Sequence, residues 1–303
     1  MNRFWITGLV PATFTPMHAD GSLNLAQVGP VVDHLVRNGV GGLYVCGSTG
    51  EGVSLSREER MATVEAHVEA AAGRIPVIVQ VGHNSLAESR QLAAHAQACG
   101  ADAISSTPPF YFKPRSLDIL VDCLAEVMAG APDLPFYYYH IPVMTGVPVD
   151  VVDLLRVGQE RLPTMVGVKF SAPTVFELQA AVNLNDGQFN LLFGSDEMML
   201  SGLVAGAHGA VGSTYNFAAP LFNRVIAAFE KEEMGAAMGY QAQAVEMIRI
   251  VARYGGNVAL KPMMKLIGLD CGPTRLPLAN FTPAQMESFQ QEMTDIGFFE
   301  WVK

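Results

Sequence analysis

The chain has 303 residues, half of them hydrophobic and only 16% charged, with a net charge of −10 and a mean hydropathy of +0.25. That length and apolar content build a large core in one or two domains, while the negative charge argues against nucleic acid as a partner and leaves any anionic ligand to be held by local donors. No run of 18 or more apolar residues occurs, so no membrane-spanning helix is expected.

The N-terminal residues lead into a strand without the layout of a signal peptide. A strand is predicted at 8–13, then a helix at 25–38, a strand at 42–46 and a helix at 57–72. The pattern repeats as strand 77–81, helix 86–99, strand 103–106, helix 117–129, strand 135–139, helix 151–158 and strand 165–170. It ends with helix 175–185, strand 189–193, helix 197–205, strand 210–213 and helix 221–230. Ser56 with Glu59, Ser85 with Glu88 and Thr174 with Glu177 match capping boxes. The strands are near-continuous apolar runs, as in parallel strands covered on both faces.

Three segments echo one another: Gly39 to Thr49, Gly100 to Thr107 and Gly206 to Thr214. Each reads as a glycine cap, a short strand and a hydroxyl pair. Eight strand–helix units predict an α/β fold, a (β/α)8 TIM barrel. A doubly wound sheet lacks support, because no GxGxxG or GxxxxGK[ST] loop is present. Residues 1–230 form the expected barrel. Residues 231–303 are read as a C-terminal helical extension packed on it rather than a second domain, with its clearest helices at 234–253 and 282–296. Cys46, Cys99, Cys123 and Cys271 lack metal or redox spacing, and three sit in apolar patterns. They are expected to be reduced core thiols in a cytoplasmic protein.

Lys169 lies in the apolar run Met165-Val166-Gly167-Val168-Lys169-Phe170. The other five lysines, at 113, 231, 261, 265 and 303, read as loop, helix or terminus. Burial disfavours an ammonium and favours the free amine that attacks a carbonyl. The alternative is a lysine that snorkels to water or pairs with a carboxylate. In a barrel, chemistry gathers at the C-terminal ends of strands. Those ends carry Gly47-Ser48-Thr49-Gly50-Glu51, Phe110-Tyr111, Tyr139-His140, Lys169 with Ser171, Gly194-Ser195-Asp196-Glu197 and Ser213-Thr214-Tyr215-Asn216. The Ser48-Thr49 turn can cradle a carboxylate with its N–H groups and hydroxyls, or be an ordinary loop. Tyr139 can move a proton, or be a packed aromatic. Asp196 and Glu197 can bind a polyol, or be dipole-favoured acids at a helix start. The seven histidines show no metal-ligand spacing, so no metal site is expected, and His140 is read as structural.

Gly47-Ser48-Thr49-Gly50-Glu51, Tyr139-x-Ile141-Pro142, Gly167-Val168-Lys169 and Gly206-Ala207-x-Gly209-Ala210-x-Gly212 together resemble the pyruvate-dependent class I aldolases. That family includes dihydrodipicolinate synthase and N-acetylneuraminate lyase, and the resemblance covers nearly the whole chain. It implies that Lys169 forms an imine, that Tyr139 is the acid/base with Ser48 as relay, and that no metal or organic cofactor is needed. It places substrate contacts on Ser48, Thr49, Ser171, Gly194, Asp196, Glu197 and Ser213. Tyr111 matches a family tyrosine that reaches into a neighbouring subunit's site, which implies a homo-oligomer, commonly a homotetramer.

The synthases usually carry an arginine two residues after the Tyr-Asn-x-Pro proline, to bind a second carboxylate. Here that position is Met144, expected to be buried, which cannot form such a pair. The segments Tyr138 to Pro142, Phe193 to Glu197 and Gly212 to Asn216 are closer to the lyase branch. The expected partners are therefore small molecules: N-acetylneuraminate (sialic acid), N-acetylmannosamine and pyruvate. Another 2-keto-3-deoxy acid as substrate, or keto-acid binding without catalysis, are the competing expectations.

Overall fold

The computed structural model describes residues 4–303. Met1, Asn2 and Arg3, where the predicted N-terminal lead-in begins, lie outside the described residues. Eight parallel strands form one sheet in the order β1-β8-β7-β6-β5-β4-β3-β2. They are β1 Gly8–Pro11, β2 Leu43–Val45, β3 Val77–Gln80, β4 Ala103–Ser106, β5 Phe136–His140, β6 Met165–Phe170, β7 Asn190–Phe193 and β8 Gly209–Gly212. The first and second strands close the ring through a parallel bridge between Ala12 and Tyr44. The Thr13 N–H donates to the Tyr44 carbonyl at 3.0 Å, and the Gly41 N–H to the Leu9 carbonyl at 2.7 Å. The fold is a TIM barrel, as the alternating pattern implied.

The strand alternation splits the core in two. Val10, Tyr44, Ile78, Tyr137, Leu192 and Val211 belong to a cluster filling the barrel, while Leu9, Val45, Val79, Ile104, Val168 and Phe193 pack outward against the helices. Those helices are α1 Val28–Arg37, α2 Arg57–Ala71, α3 Leu86–Ala98, α4 Leu117–Met128, α5 Pro142–Thr145, α6 Val151–Arg161, α7 Val175–Val182, α8 Met199–Val204 and α9 Tyr215–Glu230. Beyond them come α10 Met234–Arg253, α11 Asn257–Leu266, α12 Pro283–Asp295 and α13 Phe298–Trp301. Met247, Ile250, Met263, Phe289 and Phe298 of this last group belong to the same outer cluster as the barrel strands.

Strand 6 carries an irregularity that positions the chemistry. Phe136 pairs with Met165 and Tyr137 with Gly167, so Val166 is an extra residue in β6. Val166 joins the inner cluster, yet Val168 and Phe170 join the outer one. The bulge thus inverts the alternation, and Lys169 points into the barrel. Gly167 is required there, because a Cβ would fall 2.0 Å from the Asn190 carbonyl oxygen. Gly39, Gly100 and Gly206, the three echoed caps, all have left-handed backbones at φ +69°, +86° and +93°.

The predicted caps and helix ends hold in part. Ser56 and Glu59 form a full capping box, and the Ser85 side chain accepts from the Glu88 N–H. Thr174 caps nothing; its hydroxyl donates to Glu177, whose other oxygen accepts from the Val151 N–H at the start of α6. The last barrel helix begins at Tyr215 rather than 221, with a break at Ala218 that accommodates Pro220. Helix α7 stops short of 185, where Asn185 and Asp186 turn left-handed. Helices α5, α11 and α13 were not expected; Pro262 inside α11 obscures its pattern. All four cysteines are free, with Cys46 and Cys271 buried and Cys99 and Cys123 half-buried. Burial pushes the Cys46 thiol to about 11 and that of Cys271 to about 12, so neither is a ready nucleophile.

Candidate active site

A cavity of about 280 Å³ opens at the C-terminal end of the barrel. Lys169 lies in its wall, 4% exposed. It pairs in register with Tyr139 on one side and Leu192 on the other. The Nζ stands 4.0 Å from the centroid of the Tyr44 ring and 4.0 Å from that of Tyr139. The two rings meet edge to face at 5.7 Å. No carboxylate lies within ion-pair distance of Lys169 among the described residues; Lys261, not Lys169, is the buried lysine with an acidic partner. Of the three consecutive tyrosines, Tyr137 and Tyr139 point inward and Tyr138 packs outward, beside the His140 ring at 6.0 Å. His140 in turn lies 5.2 Å from Phe170, in the packing role expected of it.

Ser48 and Thr49 occupy a tight turn bounded by two left-handed residues, Cys46 at φ 59° and Glu51 at φ 54°. The Glu51 N–H closes on the Ser48 carbonyl and the Gly52 N–H on that of Gly47, both at 3.1 Å. These closures leave the N–H groups of Ser48 and Thr49 outside the bonds that shape the turn, where they can serve as donors to an anion. The Thr49 hydroxyl shares a 2.6 Å hydrogen bond with that of Ser213, joining the ends of β2 and β8 across the mouth.

Beside Ser213 the wall is acidic. Asp196 accepts from the Thr214 N–H at 2.9 Å and the Thr214 hydroxyl at 2.7 Å, which ties the loop after β7 to the end of β8. Burial pushes its carboxyl above the usual range, opposed by these two bonds. Burial also raises Glu197 beside it. Ser171 packs its hydroxyl against Gly194, where a Cβ would meet it at 2.0 Å. The Asn216 side chain donates to the carbonyls of Ala12 and Ser213 at 2.7 and 2.8 Å, fixing the ends of β1 and β8.

Nine of the ten residues singled out in the sequence line this one cavity: Ser48, Thr49, Tyr139, Lys169, Ser171, Gly194, Asp196, Glu197 and Ser213. Tyr111 does not. It lies 76% exposed in the loop after β4, its N–H held by Asn84 at 2.9 Å and its ring 5.0 Å from Phe112. Met144, expected to be buried, is 64% exposed on the cavity rim; it still brings no positive charge. Two residues of the site were missed. Tyr44 is an inward tyrosine in a three-residue strand just before the Gly47 turn, and that alternation was the available signal. Asn257 reaches the cavity from the first turn of α11, whose existence the sequence obscured. A larger cleft of about 930 Å³ lies between the segment around His18 and helices α11 and α12, but the inward lysine and tyrosine, the hydroxyls and the acids converge in the smaller one. Among the described residues no group of three or more His, Cys, Asp or Glu side chains is placed to hold a metal ion. No helix among them is long and apolar enough to cross a membrane.

The model of the dihydrodipicolinate synthetase family matches residues 5–296. The chain is 42% identical over 301 residues to the N-acetylneuraminate lyase of Pongo abelii and equally to that of Homo sapiens, spanning 98% of this chain and 94% of each relative. The solved structure of Proteus mirabilis N-acetylneuraminate lyase superposes with a TM-score of 0.94 at 36% identity, covering 97% of this chain and all of the other.

Proposed function

The chain belongs to the dihydrodipicolinate synthetase family, and on that premise we propose that it is an imine-forming aldolase that splits N-acetylneuraminate reversibly into N-acetylmannosamine and pyruvate. The lyases at 42% identity over nearly the full length support that substrate. One observation carries the mechanism: an inward lysine amine flanked by a tyrosine, in the same cavity as an anion-cradling turn.

The open-chain sugar acid binds with its carboxylate on the Ser48-Thr49 turn. The Lys169 amine attacks the C2 ketone, and loss of water gives a protonated imine. Tyr139 takes the proton of the C4 hydroxyl, with the Ser48 hydroxyl as relay. The C3–C4 bonding pair flows into the imine, releasing N-acetylmannosamine as its aldehyde and leaving a pyruvate enamine. Protonation at C3 and hydrolysis return the amine and free pyruvate. Asp196, Glu197 and Ser213 hold the hydroxyl-rich end of the sugar, with Ser171 and Gly194 shaping the wall between. The imine is the electron sink, so the reaction needs neither metal nor organic cofactor.

We place the enzyme in the cytoplasm, where its four free thiols are stable, as a homotetramer in which the exposed Tyr111-Phe112 tip meets a neighbouring subunit. The test is pyruvate release measured across a panel of 2-keto-3-deoxy acids. N-acetylneuraminate should be the best substrate; preference for another acid reassigns the substrate, and tight binding without pyruvate release ends the enzymatic reading.

A further inference from the structure

The turn that carries Ser48 and Thr49 is anchored from behind by the C-terminal extension. Glu51 closes that turn in a left-handed conformation that residues with a Cβ seldom adopt. Such a backbone persists only where the surroundings over-determine it, and here they do. Lys261 of α11 stands 2.8 Å from the Glu51 carboxylate, the two side chains 2% and 4% exposed. The contact is ionic, without the alignment of a hydrogen bond at that oxygen. The same ammonium donates to the Pro273 carbonyl at 2.7 Å. The other Glu51 oxygen accepts from the Arg275 N–H at 2.8 Å. Arg275 is itself locked, its guanidinium on both oxygens of Glu59 and on the Gly21 carbonyl.

Burying two opposite charges is an expensive way to fill space, and an apolar pair would stabilise the fold as well or better. What the ion pair adds is direction: it fixes one side chain, and through it the backbone beside Thr49. One helical turn before Lys261, Asn257 on the same face of α11 reaches the cavity itself. The extension therefore meets the site at its wall and behind its binding turn.

We infer that Glu51 is a positioning residue for the reaction, and that Lys261 and Arg275 of the C-terminal extension act through it to hold the Ser48-Thr49 turn in its carboxylate-binding shape. This rests on the proposal that the turn receives the substrate carboxylate.

The experiment uses the full chain and three variants: Glu51→Gln, Lys261→Met and the double variant. It measures kcat and KM for pyruvate release from N-acetylneuraminate, the pyruvate concentration that half-saturates borohydride inactivation, and the Tm. Each single variant should raise KM and the half-saturating pyruvate concentration about tenfold (about 1.4 kcal/mol of binding), with kcat falling less. The double variant should be no worse than the poorer single, since both changes act on one pair. It buries no charge, so it carries the test if a single variant fails to fold. An unmodified chain that neither releases pyruvate nor is trapped overturns the functional reading, and this inference with it. An active unmodified chain whose folded variants keep its KM and half-saturation, even with a lower Tm, overturns the inference alone. So do losses confined to kcat, or losses that multiply in the double variant.

Discussion

Lys169 is flanked by two tyrosine faces instead of a carboxylate. The negative face of an aromatic ring attracts a cation, and in the proposed reaction that cation is the protonated imine. The rings thus favour the charged intermediate. Lys169 is the one lysine lining the cavity among the described residues, so with Lys169→Ala pyruvate release should fall to background. Tyr139→Phe keeps the ring and deletes the phenol, so kcat should drop by about 10²- to 10⁴-fold while borohydride with pyruvate still labels Lys169. An unchanged kcat would remove Tyr139 from the proton path. The burial of Lys169 was legible from one cationic residue inside an apolar run. Lys261 was not, because its helix contains Pro262, and its partner Glu51 lies in a distant turn that no local pattern connects to it.

Strand 6 shows how an element directs a residue. Simple alternation from Val166 would turn Lys169 away from the barrel, and the bulge at that residue turns it inward. Gly167→Ala would press a methyl against the Asn190 carbonyl. It should therefore shift β6 and cost at least about 100-fold in kcat, as misplacement by roughly 1 Å does. A fully active, normally folded Gly167→Ala enzyme would contradict the role given to the bulge. At the other end of the barrel, Asn190 accepts from the Ile6 N–H and the Tyr137 hydroxyl and donates to the Ile6 carbonyl. Asn190→Ala removes all three bonds from a fully buried place, and chemical unfolding should show a loss of about 2 kcal/mol. The strands were legible because each is an apolar run ended by a Gly or hydroxyl turn. The bulge was not, since Val166-Gly167 reads as ordinary strand until its neighbours are known. Helix α11 was lost to its internal proline, and the short α5 and α13 offer too few turns for any period to emerge.

The whole molecule should be acid-sensitive. His67 is fully buried, with one ring nitrogen against the Thr63 carbonyl at 2.8 Å and the other without a partner. Burial lowers it from an ordinary value near 6.5 to about 4. Burial lowers His34, His140 and His208 as well. Between about 6.5 and 4 His67 binds protons more readily in the unfolded chain than in the folded one, so its contribution to stability falls as the pH falls, while the raised Asp196 and Glu197 carboxyls act in the opposite sense. Each such histidine contributes a slope of at most about 1.4 kcal/mol per pH unit. Urea midpoints should decrease from pH 7 to pH 5, and His67→Leu should flatten that slope. A midpoint that rises on acidification would contradict this account.

The proposed imine is a covalent bond at one nitrogen, and borohydride reduction in the presence of pyruvate would fix it in place. Reduction should inactivate the protein irreversibly, with a reduced pyruvate adduct on the peptide containing Lys169 and none on that containing Lys261. Full activity after reduction, or an adduct on any other lysine, would contradict it.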